Sequence, residues 1–122
     1  MKLVTLPQAL SVYQVADLKT IDVTQQPLFI GVTDEEISLV SATDHVPADT
    51  LNREDDWRGL KIEGVLDFSL VGILAKIASL LADAQISIFA ISTYNTDYIL
   101  IKSDCYDDAV AVLQEGGYTV VK

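Results

Sequence analysis

Apolar and polar positions alternate most regularly late in the chain. From Ile86 to Ile101 it reads ISIFAISTYNTDYILI. A two-residue alternation breaks at Ser92-Thr93-Tyr94-Asn95-Thr96-Asp97 and then resumes. That pattern predicts two antiparallel strands, Ile86 to Ser92 and Tyr98 to Lys102, joined by a polar turn. Upstream, Leu60 to Leu66 reads as a strand. Leu70, Ile73, Leu74, Ile77, Leu80 and Leu81 then recur at helical spacing and give one apolar stripe. Asp67 or Ser69 can cap that helix by accepting a bond from an unpaired backbone N–H. Ala109, Val110, Val112 and Leu113 mark a second helix. Asp104, Asp107 and Asp108 stand at its positive end, and Gly116-Gly117 stop it. Tyr118 to Val121 is the last strand. The order is βαββαβ, so two helices on one face of a sheet bury the pattern, as in a ferredoxin-like α+β sandwich.

The first half is richer in strands. Lys2 to Leu6 is short, apolar and expected to stop at Pro7, and Ala9 to Val15 alternates weakly. Leu28 to Thr33 and Ile37 to Ala42 read as a hairpin with the acidic tip Asp34-Glu35-Glu36. No strong helix pattern occurs there. A polar, acidic connector, from about Thr43 to Arg58, offers few residues that could pack.

Charge narrows the function. The chain has 122 residues and a formal net charge of -10. That balance opposes nucleic acid, whose phosphates require Lys and Arg, and it opposes an anionic membrane. No apolar run reaches the length of a membrane span, and the start MKLVTLPQAL has no signal-peptide pattern. The single cysteine, Cys105, cannot form an internal disulfide and suits a reducing cytosol.

Two places carry candidate chemistry. In the loop Leu66 to Ile73, a helix start presents free N–H groups that suit a carboxylate, and Gly72 permits close approach to the backbone. The plainer reading is a capped helix start. At the hairpin tip, Thr93, Asn95 and Thr96 can exchange hydrogen bonds, Tyr94 offers an aromatic wall, and Asp97 can pair with an ammonium or guanidinium group. The plainer reading there is a polar turn. In a βαββ order these two places need not be neighbours, although the end of the second strand can run past the first helix's start in an adjoining subdomain. No catalytic set is visible: His45 has no nucleophile beside it. Cys105 lies at a helix start, where its pKa could fall, but has no partner. Asp34, Glu35 and Glu36 lack calcium-loop spacing, and no phosphate loop or zinc spacing occurs, so no cofactor, metal or enzymatic activity is expected. Trp57 is expected to anchor the connector onto the core, the alternative being an exposed tryptophan at a subunit contact.

The residues LDFSLVGILAKIASLLADAQISIFAISTYNTDYILIK, Leu66 to Lys102, resemble an ACT domain. The glycine before the helix, the ISIFAIST strand and the YNTDYILI return fall in the family's order. The likeness is to small bacterial ACT proteins of two ACT-like halves, akin to the ACT modules of aspartate kinase and of the cytosolic arginine sensors. FIGVTDEEISLVSA and the tryptophan after the connector match more weakly. The resemblance implies a degenerate, mostly-β ACT-like subdomain at 1-59 and an ACT domain at 60-122. It also implies a non-catalytic regulatory protein that binds an amino acid or similar metabolite where two ACT units meet. A homodimer and a regulated protein partner are implied with it. Carried over, Gly72 and Ile73 would offer backbone to the ligand's amino-acid end, and Thr93, Tyr94 and Asp97 would line its side-chain end. Asp97 would favour a cationic side chain. The family's Asx-x-Pro-Gly loop start is replaced here by Asp67-Phe68-Ser69-Leu70-Val71-Gly72. The alternative is a protein-interaction module with a vestigial pocket.

Overall fold

A computed structural model describes residues 1–63 and 72–122. Its elements are β1 (Lys2–Gln14), β2 (Leu28–Val32), β3 (Ile37–Ala42), β4 (Asn52–Glu63), α1 (Ile73–Asp83), β5 (Phe89–Ser92), β6 (Asp97–Lys102), α2 (Tyr106–Glu115) and β7 (Thr119–Val121). Short 3-10 turns follow β3 and β6 at Thr43–His45 and Ser103–Cys105. The fold is α+β. It forms two compact units, one of Met1–Pro7 with Arg58–Lys122 and one of Gln8–Trp57.

In the larger unit the second part of β4 opens the βαββαβ order. β6 lies between β4 and β5, and β7 pairs in parallel with the start of β1, Leu3 opposite Val120. The helical stripe packs on this sheet. Ile77, Leu81, Ala109, Val110 and Leu113 share one buried cluster with Leu3, Leu60, Ile62, Ile99 and Ile101. Burying a large aliphatic side chain contributes about 1.5–3 kcal/mol, so this cluster is what fixes both helices.

Both helices end in the same device. At α2, the Tyr118 N–H donates to the Leu113 carbonyl and the Gly117 N–H to that of Gln114, with Gly117 at φ 93°. At α1, Ile86 donates to Leu81 and Gln85 to Ala82, with Gln85 at φ 62°. These are Schellman caps, which pair orphan carbonyls through one left-handed residue.

In the smaller unit the strand order is β2-β3-β1-β4. Tyr13, Val15, Ile21 and Leu39 form its core, with Leu18, Leu28, Ile37 and Val46 packed against them. Tyr13 and Ser41 exchange a buried hydroxyl bond of 2.8 Å. The β2-β3 hairpin and its 3-10 turn recur, element for element, as β5-β6 and the turn after it. Where α1 lies in the larger unit, the smaller one has Val15–Pro27 without a helix.

Several expectations are corrected. Pro7 does not end a strand, because β1 runs through it to Gln14; Pro7 is exposed and sits where the chain passes between units. The connector is not irregular to Arg58. β4 begins at Asn52, and its first residues are exposed and polar, so side-chain pattern could not reveal a strand held by its backbone. The first hairpin strand begins at Phe89, not Ile86, since Gln85 and Ile86 are used to cap α1. The expected caps Asp67 and Ser69, the stripe residue Leu70 and the strand end after Glu63 lie outside the described residues. Trp57 is buried, as its anchoring role requires.

Candidate functional site

Thr96 organises the hairpin tip. It is buried, 8% exposed, and its hydroxyl donates to the Ile62 carbonyl on β4. Ile62 is the penultimate residue of β4, from which the chain leaves toward α1. The tip therefore lies beside that exit, at the end of the sheet where the helix connection begins. This adjacency was not read from the sequence. The signal available was topological: in a βαββαβ sheet β6 runs antiparallel between β4 and β5, so its start meets the end of β4.

Thr93 closes the turn. Its backbone N–H donates to the Thr96 carbonyl at 2.8 Å, and its hydroxyl donates to the same oxygen at 2.9 Å. Thr33 does the same at the other hairpin, where its N–H donates to the Glu36 carbonyl at 2.9 Å. Its hydroxyl also accepts from the N–H groups of Glu35 and Glu36. A hydroxyl so committed first shapes the turn. Tyr94 projects outward, 87% exposed. Asp97 is half-buried at the first position of β6, opposite Ser92.

Gly72 precedes α1 with φ 83°, a left-handed conformation that L side chains adopt poorly. Its carbonyl accepts the Lys76 N–H at 2.9 Å and so begins the helix. A methyl group placed on Gly72 would meet no atom of the described residues within 4 Å. Ile73 is half-buried and packs on the core.

The five expected residues thus divide between two segments. Thr93, Tyr94 and Asp97 share the hairpin tip, whereas Gly72 and Ile73 stand at the start of α1. A shallow groove of about 450 Å3 involves none of them; Lys76, Ser79 and Asp83 of α1 line it with Gly116 and Tyr118. Cys105 departs from expectation: burial of the thiol first, then the hydrogen bond and charge of Asp104 and the charge of Asp108, push its pKa up. A helix start lowers a thiol's pKa only where other charges allow. Among the described residues no three His, Cys, Asp or Glu side chains are grouped to hold a metal. No described helix is long and apolar enough to cross a membrane.

Comparison with known proteins agrees with this architecture. The human cytosolic arginine sensor for mTORC1 subunit 1 is 44% identical over 59 residues, 48% of this chain and 18% of that protein. The chain thus spans less than a fifth of that relative's length. A crystal structure of an Agrobacterium tumefaciens protein superposes with TM-score 0.88 at 26% identity, covering 98% of this chain and 91% of that one. The ligand-free regulatory subunit of aspartate kinase from Thermus thermophilus superposes with TM-score 0.63 at 10% identity, covering 93% and 95%. The family model for the ACT domain matches residues 52–115. The βαββαβ unit, its two capped helices and that match lead to one assignment: the chain belongs to the ACT domain family.

Proposed function

We propose that this protein is a non-catalytic regulator that binds an amino acid or a similar small metabolite. The ligand sits where the hairpin tip adjoins the connection to α1. The observation that carries this reading is the Thr96 hydroxyl bond to the Ile62 carbonyl, which holds the tip beside the chain's exit from β4. Gly72 and Ile73 then meet the ligand's carboxylate with backbone N–H groups at the positive end of α1. Tyr94 covers its side chain, and Asp97 pairs with a cationic group. Thr93 contributes by shaping the turn. The relatives named for arginine sensing and for aspartate kinase regulation support the class of ligand. Binding where two ACT units meet, as a cytoplasmic homodimer acting through a regulated protein partner, completes the proposal. So does its division into a degenerate ACT-like part at 1-59 and an ACT domain at 60-122.

The test is a thermal-shift panel of the twenty amino acids at millimolar concentration. A ligand at about 100 times its dissociation constant stabilises the native state by about 2.7 kcal/mol. One or a few amino acids are expected to raise the melting temperature, with the rise lost in Asp97→Ala. A flat panel would sink the ligand reading in favour of a pure interaction module.

A further inference from the structure

Lys76 and Asp83 are the two charged residues of α1, and both stand against the helix dipole. The Lys76 N–H closes the first turn by donating to the Gly72 carbonyl, so its ammonium lies near the positive end. Asp83 is the last residue, where free carbonyls form the negative end. The start of α2 follows the opposite rule, with Asp107 and Asp108 in its first turn. Nothing on α1 compensates its reversed ends. The two residues are two turns apart, too far to pair, and no third charge offers either an i, i+4 partner. Among the described residues neither makes an ion pair with another part of the chain.

The groove of about 450 Å3 is the second, independent observation, because these two side chains line it. Small-molecule sites enclose about 300–1,000 Å3. Leu80 and Gly116 give the groove an apolar stretch, and Ser79 and Tyr118 bring two hydroxyls to it. Neither hydroxyl makes a hydrogen bond among the described residues. Ser79 thus forgoes even the bond back to its own helix that serine commonly makes. Gly116 has an ordinary φ of -76°, so conformation does not call for glycine there. Space does, since an added methyl group would come within 2.6 Å of the Leu80 side chain.

We propose that this groove binds a small zwitterion whose carboxylate meets Lys76 and whose ammonium meets Asp83. The Cα atoms of the two residues stand about 10 Å apart along the axis. Two charge-assisted contacts of about 2.8 Å each leave roughly 5 Å or more between the ligand's charges. An α-amino acid, with its charges on adjacent carbons, is too short. A dipeptide or an ω-amino acid spans the gap. Its middle lies over Leu80 and Gly116, and the Ser79 and Tyr118 hydroxyls can bond any polar group there. The bound ligand brings to each end of α1 the charge that the dipole favours and the side chains lack. This inference stands apart from the hairpin ligand, whose residues the groove does not include.

Amide NMR titration of the whole chain with alanyl-alanine and with ε-aminocaproate tests it. One or both are expected to move the amides of Ser79, Asp83, Gly116 and Tyr118 together, with a dissociation constant of about 1 mM or below. A response to alanyl-alanine alone names a peptide ligand, and a response to ε-aminocaproate alone names an ω-amino acid. Blocking the probe's ammonium or its carboxylate is expected to abolish saturation. Lys76→Gln and Asp83→Asn are each expected to weaken binding about threefold, the scale of an exposed ion pair. Their melting temperatures should stay unchanged or rise, because each removes a charge that the dipole opposes. A merely structural role would lower them. Saturation by neither probe at about 10 mM, beyond the range of specific affinity, overturns the proposal. So does binding that the blocked probes or both variants leave unchanged. Shifts confined to Gly72, Ile73 and Thr93 to Asp97 would place the probe at the hairpin and overturn it too.

Discussion

Gln85 occupies the left-handed position of the α1 cap, where Gly117 stands at α2. For an L residue that conformation costs about 1–2 kcal/mol, partly offset by glycine's greater freedom when unfolded. Gln85→Gly is therefore expected to stabilise the protein by about 0.5–1 kcal/mol, and Gly117→Ala to destabilise it by about 1 kcal/mol. Denaturant unfolding with an unchanged slope reads both. Gly116→Ala acts differently, since its methyl group would come within 2.6 Å of the Leu80 side chain and force it aside. The second cap was legible in the sequence because glycines advertise it; the first was not, because glutamine does not.

A single titrating group shows the same local logic. Asp22 accepts bonds from the hydroxyl and the N–H of Thr24, and these hold its carboxyl below the ordinary aspartate range. A depressed carboxyl adds stability at pH above its unfolded value and loses that contribution as pH falls through the folded one. Thr24→Val is expected to move the Asp22 titration, followed by NMR, upward toward the ordinary value and to narrow the acid-stability difference. No upward movement would show that the hydroxyl does not hold the carboxylate.

At the scale of elements, the β5-β6 hairpin depends on Thr96 more than on Thr93, Tyr94 or Asp97. Thr96→Val keeps the shape but leaves the Ile62 carbonyl without its partner. A buried acceptor left unpaired costs about 1–3 kcal/mol, and the tip should loosen from the exit of β4. The expected outcome is lower stability together with weaker ligand binding. Thr93→Val should cost less, since its backbone bond to Thr96 remains. Equal losses from both would refute the special role of Thr96. The two helices and both hairpins were legible because their faces are apolar at regular spacing. The start of β4 was not, because Asn52 to Asp56 is polar throughout and its pairing is a backbone property. The hairpin repeat also left a faint trace: Phe29, Thr33 and Asp44 occupy the same places as Phe89, Thr93 and Asp104.

At the scale of the whole molecule, β1 and β4 each contribute to both units, which a division at one point of the sequence does not convey. Lys2–Val4 joins the larger unit by pairing with β7 at the far end of the chain. No local pattern reports a contact across that many residues. The candidate site is legible to a similar depth: the residue types at the tip and at Gly72 suggested it, and the sheet order brings the tip to the exit of β4. If Asp97 selects the ligand's charge, Asp97→Asn should weaken a cationic amino acid by about ten- to a hundredfold. Loss of a charge-assisted bond is worth about 1.5–3 kcal/mol. Neutral amino acids should be little affected, and calorimetry compares the two.

The most direct measurement is an amide NMR titration of the intact chain with each amino acid that shifts its melting temperature. The amides of Gly72, Ile73 and Thr93 to Asp97 are expected to move together along one saturable curve. Saturable changes confined to other parts of the protein, or none with any of the twenty amino acids at millimolar concentration, would contradict a binding site at this hairpin.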